Sequence, residues 1–204
     1  MKKYLIILSF SIIVFFTCSK VTTRAESEKK PATNLDSILV LVNKNNYLNE
    51  DYFPKNLVYI EKNQISRPVY INKEVYKYYK KLKKVALKNN FDIQAFSGFR
   101  SYSYQQSIYV DSPYQALPGE SEHQTGLALD ISLLEIGLIP EMGDYPIYDF
   151  LSKNAHKYGF ILRYPKGKEA ITGYNFEPWH YRYVGLKHAK AIYNRNITLE
   201  EYLS

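Results

Sequence analysis

An α+β fold follows from three features of this sequence. Segments of alternating polarity recur at 91–96, 127–132 and 179–184, the period-two mark of strands with one covered face. Residues 74–89 carry apolar side chains at helical spacing. Strands and helices then alternate without the regular βαβ rhythm of a parallel sheet. The expectation is one domain with a small, mostly antiparallel sheet flanked by helices.

Residues 1–25 stand apart from that domain. Lys2 and Lys3 are basic, Tyr4 to Thr17 is a 14-residue apolar run, and Thr23-Arg24-Ala25 puts small residues at −3 and −1 of a cleavage after Ala25. This is the pattern of an export signal, or of an N-terminal anchor where it is retained. The run is short for a membrane span, which takes roughly 20 residues. Cys18, the sole cysteine, lies just after it and is a candidate for lipid acylation. With no cysteine pair there is no disulfide, and an exported domain of this size must be held by its core alone. Residues 26–37 are polar, contain Pro31 and read as a linker, which leaves 38–204 for the domain.

Within 38–204, Val75, Tyr78, Tyr79, Leu82, Val85 and Ala86 share one face of a helix whose other face is rich in lysine, a solvated side. Phe91 to Phe96 alternates as a strand. Ser103 with Gln106 resembles a capping box that opens a short helix to about Val110. Residues 111–122 hold two prolines and a glycine and form a loop. Leu127 to Ser132 is a strand with Leu127, Leu129 and Ile131 on one face and Asp130 on the other. A helix over 145–158 ends at Gly159, followed by short strands at 160–164 and 179–184. Thr198 with Glu201 makes a capping box for a terminal helix.

The formal charge is +7, but residues 1–25 contribute Lys2, Lys3, Lys20 and Arg24 and no acid, which leaves only +3 on the rest. So small an excess argues against a nucleic-acid partner. The chemistry concentrates in SEHQTGLALD (121–130) and EPWHYRYVG (177–185). Together they supply His123, Asp130, Glu177 and His180. Catalytic zinc takes three protein ligands and keeps a fourth position for water. This set offers three ligands and one carboxylate to handle protons.

Each residue also has a plainer reading. A single histidine is more often structural than a ligand. Asp130 sits mid-strand among apolar residues, where a carboxylate needs a partner; zinc is one, and a salt bridge to Arg100 or Arg182 is another. Glu177 lies three residues before His180, across the stiff Pro178, and would otherwise be a surface acid. His156, near a predicted helix end, and His188, beside Lys187 and Lys190, read as non-ligands.

SGFRSYSYQQSIY (97–109), PGESEHQTGLALDIS (118–132), FILRYP (160–165) and EPWHYRYVG together resemble the VanY-type zinc D,D-carboxypeptidases and the related LdcB-type L,D-carboxypeptidases. The similarity runs in matching order over about residues 48–203. It implies Zn2+ held by His123, Asp130 and His180 in a cleft on the sheet, with Glu177 as catalytic base. It implies that Arg100 binds the substrate and stabilises the oxyanion or the scissile carbonyl. It also implies contacts from Gln105 and Ser121 to a terminal D-alanine. The implied activity is trimming of peptidoglycan stem peptides by a monomeric, extracytoplasmic enzyme. Such an enzyme is secreted, or tethered to the membrane by its N-terminal segment or by a lipidated Cys18. Its partners are muropeptides and not nucleic acid. The motifs are common to enzymes that cut pentapeptides and enzymes that cut tetrapeptides. An endopeptidase of the same fold and a non-catalytic muropeptide-binding module are the alternatives. The zinc histidines are expected to donate their second ring nitrogens to partners that the sequence does not identify.

Overall fold

The computed structural model describes residues 28–62 and 67–204. The export or anchor segment 1–25, with Cys18, lies outside the described residues. None of the described helices is long and apolar enough to cross a membrane.

Packed structure begins before Ile38. Strand β1 (Lys30–Pro31) pairs in parallel with β2 (Asn46–Tyr47). Ala32 is buried in the main core, and Lys29 meets Glu120 at 2.5 Å. Part of the stretch that reads as a linker is therefore docked. Two-residue strands carry no periodicity from which to recognise them.

Strands β3 (Leu57–Lys62) and β4 (Pro68–Asn72) form an antiparallel hairpin. No element was expected over these residues, because a short apolar run such as Leu57-Val58-Tyr59-Ile60 does not by itself distinguish strand from helix. Helix α1 (Lys73–Lys88) follows at once, capped by Asn72, whose side chain accepts the Glu74 N–H. Val75, Tyr79, Leu82 and Ala86 are its buried stripe, as the helical spacing requires. Glu61 of β3 joins hairpin, helix and sheet. It accepts from the Tyr79 hydroxyl at 2.9 Å, from Lys83 at 2.8 Å and from the Ala95 N–H at 2.8 Å.

The central sheet holds β5 (Gln94–Ser97), β6 (Ala128–Ser132), β7 (Phe160–Leu162) and β8 (His180–Tyr183). Their order is β5-β6-β8-β7, and every pairing is antiparallel. The expected fold class is the observed one. Helix α2 (Tyr102–Ile108) starts two residues earlier than the proposed box. Ser101, not Ser103, is its cap and accepts the Tyr104 N–H at 3.1 Å. The helix expected over 145–158 is α3 (Pro146–Asn154) continued by a 3-10 turn, Ala155–Tyr158, and ended by Gly159 at φ +83. The short α4 (Glu169–Thr172) precedes β8, and α5 (Leu186–Arg195) and α6 (Leu199–Leu203) close the chain. Ile161, Val184, Ala189, Ile192 and Leu199 form a second small core beneath them.

The box at α6 is complete: Thr198 accepts the Glu201 N–H, and the Glu201 carboxylate accepts the Thr198 N–H. It holds Glu200 where Arg163 can reach it. Thr198→Ala is expected to cost about 1 kcal/mol of unfolding free energy. A urea titration should show this as a lower midpoint with unchanged slope.

Candidate metal centre

The register of two strands creates the site. Across β6 and β8, Asp130 stands directly opposite His180. Opposed residues in an antiparallel pair project from the same face with Cβ atoms about 4.5–5.5 Å apart. Two distant stretches of sequence thus meet, and His180 Nδ1 lies 3.2 Å from Asp130 Oδ1. His123 comes from the 3-10 turn Glu122–Thr125 that leads into β6. Gly126 ends this turn in the left-handed region at φ +68, and its N–H bonds the His123 carbonyl. That conformation lets the chain turn straight into the strand. His123 Nε2 then sits 3.3 Å from Asp130 Oδ2. One ligand atom from each residue falls within 4.8 Å of the others, and all three side chains are buried. Among the described residues this is the cluster of ligand type.

The donor set fits a metal ion. His123 Nδ1 is 2.6 Å from the Gly98 carbonyl, which places the ring proton there and leaves the Nε2 lone pair facing Asp130. Gly98 is needed for this contact, since a Cβ there would collide with the Tyr70 carbonyl. Neither His123 Nε2 nor Asp130 Oδ1 has a hydrogen-bond partner. Buried polar atoms without partners are costly. A cation among two imidazole nitrogens and one carboxylate would satisfy both, and two histidines with one acid are ligands of zinc type.

Charge at the site agrees. Burial, and then the Arg100 charge, push His123 down to about 4, so its imidazole is neutral, the form that ligates. Burial opposes ionisation of Asp130, but the neighbouring His180 outweighs it and holds the carboxyl well below the usual range. His180 is buried too, yet Asp130, Glu122 and Glu177 surround it and hold it well above the ordinary histidine range. A bound cation takes the place of that proton.

Glu177 lies one tight turn before His180; the His180 N–H bonds the Glu177 carbonyl at 3.2 Å. Its Oε2 is 3.4 Å from His180 Nδ1, on the metal side of the ring. Burial pushes its carboxyl above the usual range. Arg100 donates to Gln105 Oε1 at 2.8 Å and to Ser97 Oγ at 2.8 Å, and stands 3.5 Å from Asp130 Oδ2. Gln105 is buried rather than exposed on its helix, and its other amide end donates to the Ala116 carbonyl at 2.9 Å. Ser121 is buried and lines a small neighbouring pocket with Tyr164, Tyr174 and Glu177. Arg100, Gln105, His123, Asp130, Glu177 and His180 line a cleft of about 270 Å³ together with Ile108, Tyr114, Leu138 and Trp179. His156 stacks on Tyr193 and His188 contacts the Tyr202 hydroxyl, both away from the cluster.

Asp130 takes Arg100 and not Arg182 as its neighbouring cation. Arg182 goes instead to Glu122, a residue with no local signature of such a role. The buried Glu122 Oε1 accepts from Arg182 at 2.6 Å and from Arg163 Nε at 2.8 Å. Arg163 also binds both carboxylate oxygens of Glu200, at 2.9 and 2.6 Å. The signal was present: FILRYP and EPWHYRYVG each put an arginine into an apolar stretch, and a buried arginine needs a buried acid.

Comparison with known proteins agrees with this geometry. The family model for VanY, D-alanyl-D-alanine carboxypeptidase, matches residues 68–186, a span that includes Arg100, Gln105, Ser121, His123, Asp130, Glu177 and His180. The chain belongs to the VanY family. Among relatives in it, the bifunctional D-Ala-D-Ala dipeptidase and carboxypeptidase VanXYC of Enterococcus gallinarum is 37% identical over 80% of this chain and 92% of its own. The LdcB LD-carboxypeptidase, solved to explain peptidoglycan recognition, superposes with a TM-score of 0.79 and 41% identity, covering 86% of this chain and 89% of its own. A vancomycin-resistance D,D-pentapeptidase VanY mutant bound to Zn(II) gives 0.68 and 34%, covering 81% of this chain and 98% of its own. Zinc is accordingly the cofactor of the cluster.

His180→Ala leaves two ligands and is expected to lose zinc. Elemental analysis after dialysis should show this, and stoichiometric zinc in that variant would remove His180 from the ligand set.

Proposed function

We propose that this protein is a zinc carboxypeptidase that removes the terminal D-alanine from peptidoglycan stem peptides. One observation carries the reading: a buried carboxylate, Glu177, faces the metal side of His180 in a cleft that Arg100 also enters. A protein that only held metal would not need a proton acceptor there. Zinc bound to His123, Asp130 and His180 supplies an activated water and polarises the scissile carbonyl.

The residues of the chain do the remaining work. Glu177 accepts the proton of the attacking water and returns it to the departing amine nitrogen as the amide bond breaks. Its place beside the ligand His180, with Oε2 3.4 Å from Nδ1, puts the carboxylate where these protons change hands. Arg100 presents a permanently charged planar donor to the oxygen on which negative charge develops, or to the peptide carboxylate. Gln105 and Ser97 hold that guanidinium in place, so Gln105 acts on the substrate chiefly through Arg100. Ser121, which lines a small pocket with Arg100, Glu177 and His180, would contact the terminal residue. A cleft of about 270 Å³ lies at the small end of ligand sites and suits one or two small residues better than a long chain threaded through.

The substrate lies outside the cytoplasm, and the N-terminal pattern of residues 1–25 supports export followed by release or tethering, with Cys18 as the lipid site where the chain is acylated. A monomer suffices, since each group named above comes from one chain.

Glu177→Ala is expected to keep zinc and lose turnover by about 10²–10⁴-fold. Elemental analysis and D-alanine release measured on one preparation separate the two effects. Incubating the purified domain with defined tetrapeptide and pentapeptide muropeptides should release D-alanine, detected by mass spectrometry. Loss from the pentapeptide alone makes it a D,D-enzyme, and loss from the tetrapeptide alone an L,D-enzyme. Cleavage only at internal bonds, or binding without release, would refute the carboxypeptidase reading.

A further inference from the structure

We infer that Glu122 is a positioning residue for the metal ligand His180, accepting a hydrogen bond from its outer ring nitrogen and so fixing its tautomer and heading. The inference rests on the zinc site and not on the identity of the substrate.

His180 turns Nδ1 toward Asp130 and Glu177, at 3.2 and 3.4 Å. Its Nε2 points the other way, into the protein, and stands 3.6 Å from Glu122 Oε2. That is just beyond hydrogen-bond distance. Yet both atoms are buried and neither has another partner. Two such atoms facing each other make a contact that a ring shift of a few tenths of an ångström would close. An imidazole that ligates through one nitrogen carries its proton on the other, and that proton needs an acceptor. Here the acceptor is already aimed. Arg163 and Arg182 both donate to Glu122 Oε1, which pins the carboxylate and leaves Oε2 for His180.

The arginines are themselves anchored. Arg182 donates to the Ile38 and Val40 carbonyls at 3.0 and 2.8 Å, and Arg163 is gripped by Glu200 of α6. The heading of a metal ligand is therefore set by contacts to both ends of the domain. A plainer role, in which Glu122 only neutralises two buried arginines, would not require its second oxygen to face a ligand. Glu122 also directly precedes His123, so one short turn supplies one ligand and orients another.

Two measurements test this, neither of them an activity. In the zinc-loaded wild-type protein with 15N-labelled histidine, His180 should carry its proton on Nε2, as a downfield resonance exchanging slowly with water. A proton on Nδ1, or exchange as fast as in free imidazole, would overturn the proposal. In parallel, Glu122→Asp keeps the charge between the arginines but withdraws it from His180, and Glu122→Gln keeps the reach but loses the charge. Each is expected to bind zinc about 10–100-fold more weakly by chelator competition. Circular dichroism of the metal-free proteins would show an unchanged fold. Wild-type zinc affinity in a folded Glu122→Asp would also overturn it. Where a variant does not fold, the wild-type resonance decides. Failure to release D-alanine would leave all these results unaffected.

Discussion

The pairing of Asp130 with His180 across β6 and β8 is the constraint on which the site depends. Side-chain direction in a sheet has a period of two, so a slip of one residue would turn His180 away and bring Trp179 or Tyr181 opposite Asp130. The register is protected by burial on both faces. Leu129 and Ile131 flank Asp130, Tyr181 and Tyr183 lie on the other face of β8, and all are fully or almost fully buried. Moving either strand by one position would put apolar groups where the ions are and ions where the apolar groups are. Packing of an ordinary core thus holds the chemistry in register.

Beneath that pair lies a layer of buried charge. The fully buried Glu122, Arg163 and Arg182 would each be prohibitively costly alone; with the partly buried Glu200 they satisfy one another. Burial works against ionisation of Glu122, but its two arginines outweigh this and hold the carboxyl far below the usual range. Such networks are weak sources of net stability; their geometry is what they contribute. Here they link the 38–40 stretch, the residue after β7, β8 and α6 to the back of a single imidazole.

The parts of the molecule visible in the sequence are those with a local signature. The strand at 127–132 and the face of α1 show themselves by period, the end of the 3-10 turn after α3 by Gly159, and α6 by its two-residue box. His123, Asp130, Glu177 and His180 stood out because histidines and acids clustered in two short segments, one acid in mid-strand. What stayed hidden depends on contacts distant in sequence. β3 is too evenly apolar to declare its state, and β1 is too short to declare anything. The burial of Gln105 follows from Arg100 and Ala116 meeting it from two sides. Glu122 has no local signature, because its meaning lies in Arg163, just after β7, and Arg182 of β8.

The three metal ligands come from a turn and two strands that are neighbours only once the sheet has formed. An unfolded chain offers no two of them at a spacing that grips an ion. Zinc therefore binds the native state almost exclusively, and its full binding free energy adds to folding by mass action. The free zinc concentration around the protein becomes a determinant of how much of it is folded. Metal scarcity would act on this enzyme twice, by emptying the catalytic centre and by lowering the population of intact molecules exposed to proteases.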